Sequence, residues 1–279
     1  MKIKAYAKIN LGLDVKRRLE NGYHDLEMIM VPINFYDELS IDINETMEFT
    51  SNKAYVKDNP DNTIFKAIDY LRDKYGFKEN FKIHLHKSVP TRAGMAGGSS
   101  DGAMTIIALN SLLELNMTAE EKRQAAIAVG ADVYFCLVGR PAKVLGIGDV
   151  VEPFECNLDF EILLVKPRKG VSTKESFQTL NLETCDHPDI DEIKYALETS
   201  DYDLFIKSIG NSLEEPSFKL VKEIKNVKDK LLDLGFDAAL MSGSGSTVFG
   251  ITKDKALAQS SMNKLKSMGY FTRRVKIVK

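Results

Sequence analysis

Apolar and polar residues alternate along the first stretch of the chain. From Ile3 to Val15 every odd position is apolar, whereas the even positions hold lysine, tyrosine, asparagine, glycine and aspartate. A period of two residues is typical of a β-strand with one face in the core. Lys8 and Asn10 then lie on the polar face, about 7 Å apart by the rise of a strand. A rigid strand can aim two such side chains at a ligand, but the pattern alone favours a solvated face.

Two strand patterns and a helix follow. Residues 28–35 predict a strand, and residues 36–43 predict a turn and then another strand. Asn62 is predicted to cap a helix, because it precedes apolar residues spaced three and four apart. These apolar positions are Ile64, Ala67, Ile68 and Leu71.

A glycine-rich stretch stands between a strand pattern and a helical one. Phe81–His86 alternates like a half-buried strand, and an apolar helical face begins at Ala103. In the residues between them, Ser99, Ser100 and Asp101 are predicted to cap the helix. Glycines let backbone N–H groups approach an anion closely, and the start of a helix favours negative charge. The stretch therefore predicts a phosphate-binding loop.

The same stretch can also be interpreted as a tight connection with a helix cap. Caps and turns are commoner than ligand sites, so an arbitrary glycine-serine loop would favour that interpretation. Three glycines beside two serines shift the balance towards binding. The stretch contains neither the Gly-Lys-Ser/Thr of a Walker A motif nor the Gly-x-Gly-x-x-Gly dinucleotide fingerprint. A nucleotide would therefore bind here in another way.

A lone carboxylate follows in the next part of the chain. Residues 118–121 form a capping box, which begins a helix that ends near Gly130. Asp132 stands among apolar residues, and a buried carboxylate is costly unless it is paired or used. We therefore expect a partner such as a lysine. A structural ion pair and a functional pair are both consistent with this pattern.

The second half predicts a mixture of strands and helices. Glu161–Lys166 is a short buried strand, and helical patterns dominate residues 189–234. A second glycine-serine stretch, Met241–Thr247, leads into another strand, and a helix and a strand close the chain. This order is typical of an α+β sandwich.

Length and composition fit two domains of ordinary size. The 279 residues are predicted to form domains at 1–155 and 156–279, with the junction within 151–159. Hydrophobic residues make up 44% of the chain and charged residues 28%, and the net charge is −2. This balance describes a globular protein without a basic field, so nucleic acid is not expected as a partner. No apolar run is long enough to cross a bilayer, and no membrane partner is expected.

The cysteines bear on the compartment and on metal binding. Their odd number of three and their wide spacing predict reduced thiols in the cytoplasm. The first residues lack the apolar segment of a signal peptide. Neither Cys-x-x-Cys nor His-Glu-x-x-His occurs, so no dedicated zinc site is predicted.

Five segments occur in one order along nearly the whole chain. They are Ala7–Leu11, Gly22–His24, Pro90–Asp101, Gly130–Val133 and Met241–Gly245. Together they resemble the GHMP small-molecule kinases. With the run Val-Ser-Thr-x-x-x-Phe, they are similar to those members that phosphorylate a cytidine-diphosphate-linked methylerythritol in isoprenoid biosynthesis. The resemblance implies an α+β chain with an N-terminal domain like domain 2 of ribosomal protein S5 and a C-terminal ferredoxin-like sandwich.

The resemblance also implies roles for individual residues. Asp132 matches the base that takes a proton from the acceptor hydroxyl, and Lys8 matches the lysine that steadies charge beside it. Asn10 matches a residue that contacts the acceptor. The other residues matched to acceptor binding are Tyr23, His24, Phe177, Ser242, Gly243, Ser244 and Gly245. Among them, the two aromatic residues would sandwich a cytosine and the histidine would read its edge, although the tyrosine alone could equally cover core.

ATP and Mg²⁺ are the cofactors that the resemblance implies. The residues matched to ATP binding are Asn62, Pro90, Ala93, Gly94, Met95, Ala96, Gly97, Gly98, Ser99 and Ser100. Mg²⁺ is expected to bridge the phosphates mostly through water and phosphate oxygens, with Ser99 or Ser100 as its candidate protein contact. The expected partner is a small-molecule substrate, and the expected assembly is a monomer or a homodimer.

Several positions depart from the family pattern. Arg92 stands where a small residue is usual, and Gly102 where alanine usually opens the helix. Tyr134 replaces a proline after Gly-Ala-Asp-Val, and Leu145 an acidic residue before Gly-x-Gly. None of these removes a catalytic group, but together they leave the acceptor open. The alternatives are a kinase of this type for another small alcohol and a nucleotide-binding homologue without turnover.

Overall fold

Two long strands open the chain and take part in both of its structural units. The computed structural model describes residues Met1–Lys279. The first unit contains Met1–Lys8, Phe35–Thr91 and Ala96–Gly139, and the second unit contains Ile9–Asn34, Arg92–Met95 and Arg140–Lys279. The strands β1 (Lys2–Arg18) and β2 (His24–Asn44) pair with each other and pass from one unit into the other. The units are therefore interleaved along the chain, and the division into domains near residue 155 stays a prediction.

β1 is buried on both faces over most of its length, so the prediction of a single buried face is wrong. Every residue from Ala7 to Val15 is buried. In the second unit, a Cβ added to Gly12 would lie 2.5 Å from Cδ1 of Ile193. Asp14 lies on the same face, with its Oδ1 2.6 Å from Nδ1 of His187. The alternation therefore marks one apolar buried face and one polar buried face.

β2 runs without a break, so the turn predicted at the beginning of residues 36–43 is wrong. Asp37 is fully buried in the middle of this strand. One carboxylate oxygen accepts the backbone N–H groups of Ser88 and Val89, and the other lies 2.6 Å from Nζ of Lys87. Because these partners compensate the buried charge, the aspartate does not need the solvent that a turn would provide.

The first unit combines a small sheet with four helices. β4 (Asn80–His86) pairs antiparallel with the end of β2 and parallel with β3 (Glu48–Ser51). The helices are α1 (Thr63–Tyr75), α2 (Gly97–Leu112), α3 (Ala119–Val129) and α4 (Val133–Val138). The predicted start of α1 is confirmed, because the Asn62 side chain accepts the N–H of Ile64. The predicted capping box of α3 is confirmed as well.

α2 begins before its predicted cap. Its N-cap residue is Ala96, whose φ of 51° is left-handed and whose side chain makes no capping hydrogen bond. Ser99, Ser100 and Asp101 already belong to the helix, so the prediction that they cap it is wrong. Because no side chain caps this end, the first-turn N–H groups are available to another acceptor.

The glycine at position 102 lets α1 and α2 approach closely. A Cβ added to Gly102 would lie 2.9 Å from Cβ of Thr63 and 3.2 Å from its carbonyl oxygen. The alanine that is usual in the family would overlap these atoms. This departure from the family pattern therefore follows from local packing against Thr63.

The second unit contains a four-stranded antiparallel sheet. Its strand order is β10-β7-β9-β8, formed by β7 (Glu161–Lys166), β8 (Ala238–Met241), β9 (Val248–Thr252) and β10 (Phe271–Val275). Outside this four-stranded sheet, the start of β2 pairs with β5 (Ala142–Gly146), which pairs in turn with β6 (Val150–Pro153). The helices are α5 (Thr173–Gln178), α6 (Ile190–Thr199), α7 (Tyr202–Ser208), α8 (Glu214–Leu220), α9 (Lys222–Asp233) and α10 (Lys255–Ser267).

The predicted sequence of elements in this half lacked β8. That strand has four residues, all buried, so it shows no alternation from which it could be recognised. With β8 included, β7, α9, β8, β9, α10 and β10 follow the order strand–helix–strand–strand–helix–strand. The α+β class is confirmed. None of the ten helices combines the length and the apolar character needed to cross a membrane.

We expect Gly102→Ala to lower the free energy of unfolding by about 1–3 kcal/mol, because overpacking against Thr63 forces the helices apart. Urea denaturation measures this change. Gly98→Ala is the matched control, since a Cβ there meets nothing closer than Thr63 Oγ1 at 3.9 Å. The control should be neutral or gain up to about 1 kcal/mol from helix propensity. Equal stability of the two variants would contradict the packing argument.

Candidate active site

A lysine and an aspartate form a pair in the first unit. Lys8 projects from β1, and Asp132 is the N-cap residue of α4. Lys8 Nζ lies 3.6 Å from Asp132 Oδ2, which confirms the expectation of a lysine partner. The Lys8 side chain is 4% exposed, whereas that of Asp132 is 33% exposed. The ammonium is therefore sealed in, and its carboxylate partner keeps a surface that a ligand can reach.

The surroundings of this pair determine whether Ser99 or Ser100 has an accessible hydroxyl. Cys136 lies one turn after Asp132, and burial raises the pKa of its thiol, with the Asp132 charge adding to the shift. Ser100 is 1% exposed and hydrogen-bonds this thiol. Ser99 is only half-buried. Of the two serines predicted as Mg²⁺ contacts, Ser99 is therefore the accessible one.

The first residues of α2 pack against Lys87, Val89 and Thr63. A Cβ added to Gly97 would lie 3.0 Å from Val89 Cγ1 and 3.1 Å from Lys87 Nζ. The Thr63 hydroxyl donates to the carbonyl oxygen of Gly98. The predicted ATP contact Asn62 uses its side chain to cap α1 and to donate to the Lys57 carbonyl. Asn62 thus fixes the beginning of α1, from which Thr63 reaches Gly98.

The two glycine-serine stretches meet in the second unit. Gly94 has a φ of +71°, and a Cβ there would lie 2.0 Å from the Ser242 carbonyl oxygen. Ser242 Oγ donates to the Gly94 carbonyl at 2.9 Å and accepts the Asn10 N–H at 3.3 Å. Thr247 donates its N–H to the Ala93 carbonyl. Ser242 is fully buried, so its hydroxyl holds these segments together.

Other members of the second stretch are shaped by neighbours within the same unit. A Cβ on Gly243 would lie 3.3 Å from Asn10 Oδ1, and one on Gly245 would lie 2.7 Å from Met241 Sδ. Ser244 is half-buried, and its hydroxyl lies 2.7 Å from that of Thr173. Ser244 is therefore the one predicted serine of this stretch whose hydroxyl is near the surface.

The predicted aromatic residues divide into a stacked pair and an exposed ring. The His24 and Phe177 rings stack with centroids 4.8 Å apart and planes at 26°. Burial lowers the pKa of His24, with the charge of Arg18 adding to the shift, so the imidazole is neutral at pH 7. Tyr23 is 61% exposed, which rules out the interpretation that it covers core. An exposed aromatic ring next to a neutral imidazole suits recognition of a flat polar base.

Models of known families match both halves of the chain. The GHMP kinases N terminal domain matches residues 62–140, and the GHMP kinases C terminal domain matches residues 193–270. Together these regions cover more than half of the sequence. The chain belongs to the GHMP kinase family.

Curated relatives and a solved structure narrow the similarity within the GHMP kinases. The chain is 41% identical to a putative 4-diphosphocytidyl-2-C-methyl-D-erythritol kinase of Streptococcus agalactiae, over 94% of each chain. It is 36% identical to a 4-diphosphocytidyl-2-C-methyl-D-erythritol kinase of a Geobacillus species, over 95% of this chain and 92% of the relative. A crystal structure of 4-(cytidine 5'-diphospho)-2C-methyl-D-erythritol kinase superposes over 100% of both chains with a TM-score of 0.84 and 29% identity. The predicted GHMP kinase fold is confirmed.

Sequence reasoning missed Asn211 in this GHMP kinase. Its side-chain nitrogen donates to the carbonyl oxygens of Met241 and Gly243, both at 2.8 Å, and it is 1% exposed. It therefore fixes the backbone of the second glycine-serine stretch. The only signal in the sequence was a Gly-Asn-Ser run that interrupts a helical region.

The departures at Arg92 and Tyr134 leave the paired side chains in place. Arg92 is exposed with a φ of 50°, and its Cβ lies 3.3 Å from the position of a Cβ on Gly170. Tyr134 is half-buried, with the Arg123 guanidinium 5.7 Å from its ring centroid. Tyr134 thus packs on α3 next to Asp132 rather than displacing it.

We expect Ser242→Ala to lower the free energy of unfolding of this GHMP kinase by about 1–3 kcal/mol, because the buried Asn10 N–H loses its acceptor and the half-buried Gly94 carbonyl loses its donor. Ser244→Ala is the control, since its hydroxyl is near the surface, and should change stability by about 0.5 kcal/mol or less. Chemical denaturation of both variants measures the difference. Loss of stability in the control but not in Ser242→Ala would contradict the assignment.

Proposed function

We propose that this kinase transfers the γ-phosphoryl group of ATP to the 2-hydroxyl of 4-diphosphocytidyl-2-C-methyl-D-erythritol. This reaction would place it in non-mevalonate isoprenoid precursor biosynthesis. The observation that carries the proposal is the 41% identity, over 94% of the chain, to a relative of that name. The Lys8–Asp132 pair supports phosphoryl transfer to a hydroxyl group. The aromatic set of Tyr23, His24 and Phe177 supports an acceptor that carries a base.

Asp132 and Lys8 are proposed as the catalytic pair. The acceptor oxygen forms a bond to the γ-phosphorus as the bond to the ADP oxygen breaks, and the hydroxyl proton passes to Asp132. Phosphoryl transfer depends mainly on positioning and charge stabilisation, so a fixed carboxylate suffices to orient the hydroxyl. The buried ammonium of Lys8 holds that carboxylate and stabilises developing negative charge.

ATP is proposed to bind at the start of α2. The helix begins without a side-chain cap, and Gly97 and Gly98 keep its first turn free of bulk. Unpaired N–H groups and the helix dipole favour phosphate oxygens at such a position. No cluster of three or more acidic, histidine or cysteine side chains could hold a resident metal. Mg²⁺ is therefore proposed to arrive with the ATP phosphates and to contact the Ser99 hydroxyl.

The acceptor is proposed to extend from Asn10 to the aromatic residues. Tyr23 offers a solvent-exposed ring face on which cytosine can stack, and Phe177 supplies a second aromatic surface. His24 is neutral at pH 7, so one of its ring nitrogens can donate and the other accept at the edge of the base. Such a set suits a flat polar base better than a small aliphatic alcohol.

The proposal also covers the compartment and the assembly of the protein. All three cysteines are free, and Cys136 and Cys156 are buried, which supports a reducing environment such as the cytoplasm. The assembly is proposed to be a monomer or a homodimer.

We expect Asp132→Asn to retain ATP binding and to lower turnover by roughly 100-fold or more, because the proton acceptor is gone while the shape is kept. The measurement pairs a nucleotide-binding titration with steady-state kinetics. Asp69→Asn, an exposed aspartate on α1, is the control and should leave turnover unchanged. Near-normal turnover in Asp132→Asn would remove this residue from the mechanism.

We expect Tyr23→Ala to weaken acceptor binding by about 1–3 kcal/mol, the range for stacking of one base on an aromatic ring. The KM for ATP should stay unchanged. Tyr55→Ala is matched in exposure, at 58% against 61%, and should affect neither constant. An unaltered acceptor affinity in Tyr23→Ala would show that the base does not stack there.

A further inference from the structure

Three buried charged side chains meet beneath the start of α2. Lys87 Nζ lies 2.6 Å from Asp37 Oδ2 and 2.6 Å from Asp101 Oδ2. Asp37 comes from β2, Lys87 directly follows β4, and Asp101 lies in α2. Their exposed fractions are 0%, 4% and 3%. We call these three residues the buried ion cluster.

The cluster fixes the segment that leads from β4 towards the glycine loop. The second Asp37 oxygen accepts the N–H of Ser88 at 2.6 Å and that of Val89 at 2.8 Å. Two charged contacts and two backbone hydrogen bonds therefore converge on one short piece of chain. Bonds to charged groups are among the stronger ones in proteins, so residues 87–89 are held firmly.

The cluster also contacts the backbone at the start of α2. A Cβ on Gly97 would lie 3.1 Å from Lys87 Nζ and 3.0 Å from Val89 Cγ1, so the first residue of the helix lies directly on these two side chains. Ala96 provides no side-chain cap. The position of the first-turn N–H groups is thus set from below by the cluster rather than by a capping side chain.

Stabilisation of the fold alone does not explain why this cluster is present. Taking three charges out of water is costly, and well-packed apolar residues are often as stable in their place. One carboxylate oxygen, Asp101 Oδ1, is buried without any hydrogen-bond partner. An arrangement that costs stability and lies under the proposed phosphate site is better explained by what it does for that site.

We propose that Lys87, held by Asp37 and Asp101, is a positioning residue that sets the affinity of the glycine loop for ATP. The ammonium supports the backbone of Gly97 and places a positive charge below the N–H groups that face the phosphates. The inference rests on the proposed ATP site at the start of α2. It concerns ATP affinity and leaves the acceptor and the Lys8–Asp132 pair unaffected.

The test compares Lys87→Met and Asp101→Asn with the wild-type enzyme. Lys82→Met is the control, since Lys82 lies in β4 with a side chain 67% exposed. For each protein we would measure the ATP dissociation constant, the acceptor KM, and unfolding by urea. Lys87→Met should weaken ATP binding roughly tenfold or more while the acceptor KM stays within about twofold, since only the nucleotide site is disturbed. Lys82→Met should match the wild type.

Asp101→Asn keeps a side-chain oxygen for Lys87, so it should bind ATP at least as tightly as the wild type. Asp101→Leu has a similar volume but offers Lys87 no oxygen, so it should weaken ATP binding severalfold at an unchanged acceptor KM. If Lys87→Met fails to fold, these two variants decide alone, and equal ATP affinity of the two overturns the proposal.

A folded Lys87→Met enzyme with wild-type ATP affinity would also overturn it. So would a rise in the acceptor KM as large as the rise in the ATP dissociation constant. Failure of the proposed function looks different. In that case the wild-type protein itself does not bind ATP or does not transfer phosphate to the acceptor.

Discussion

A lysine ammonium that is buried away from water needs a carboxylate close by, and two lysines of the first unit are under this constraint. Lys8 and Lys87 are both nearly inaccessible to solvent. The penalty for burying one ammonium is several kcal/mol, so each position determines what must surround it. Lys8 is paired with a carboxylate that is one-third exposed, whereas Lys87 is enclosed by two carboxylates that solvent barely reaches. One buried cation therefore faces a ligand surface, and the other holds the backbone on which a ligand would rest.

Three glycines in and just after the first glycine-serine stretch are the second constraint, and each is required by a different neighbour. Gly94 lies on the Ser242 carbonyl, Gly97 on Lys87 and Val89, and Gly102 on Thr63. In each case a Cβ would come within about 3 Å of another group, closer than ordinary packing permits. The loop is thus fixed by its surroundings as well as being open to phosphate. Such preorganisation allows backbone N–H groups to act on phosphate without reorganising during the reaction.

Local patterns predicted the elements whose cause is local. The cap at Asn62, the capping box before α3 and the bounds of β7 follow from adjacent residues, and the structure has them. Contacts distant in sequence could not be predicted in this way. Asp37 has the polarity of a turn residue until its partner Lys87, fifty positions away, is known.

Burial on both faces of β1 and the use of the Ser242 hydroxyl likewise depend on segments far along the chain. The stacking of His24 on Phe177 joins residues that are far apart in the sequence, and no local pattern signals it. The resemblance to GHMP kinases supplied what spacing could not, namely the pairing of Lys8 with Asp132. It did not include the buried ion cluster, whose three members come from separate parts of the chain.

The central claim is acceptor-dependent phosphoryl transfer, and the most direct measurement is ADP release from magnesium-ATP with and without 4-diphosphocytidyl-2-C-methyl-D-erythritol. The account predicts rapid release only when this acceptor is present, together with a product that carries one additional phosphate. Parallel reactions with small alcohols that lack the cytidine group should stay at the background rate. ATP binding without acceptor-dependent release, or equal release with an alcohol that lacks the base, would contradict the account.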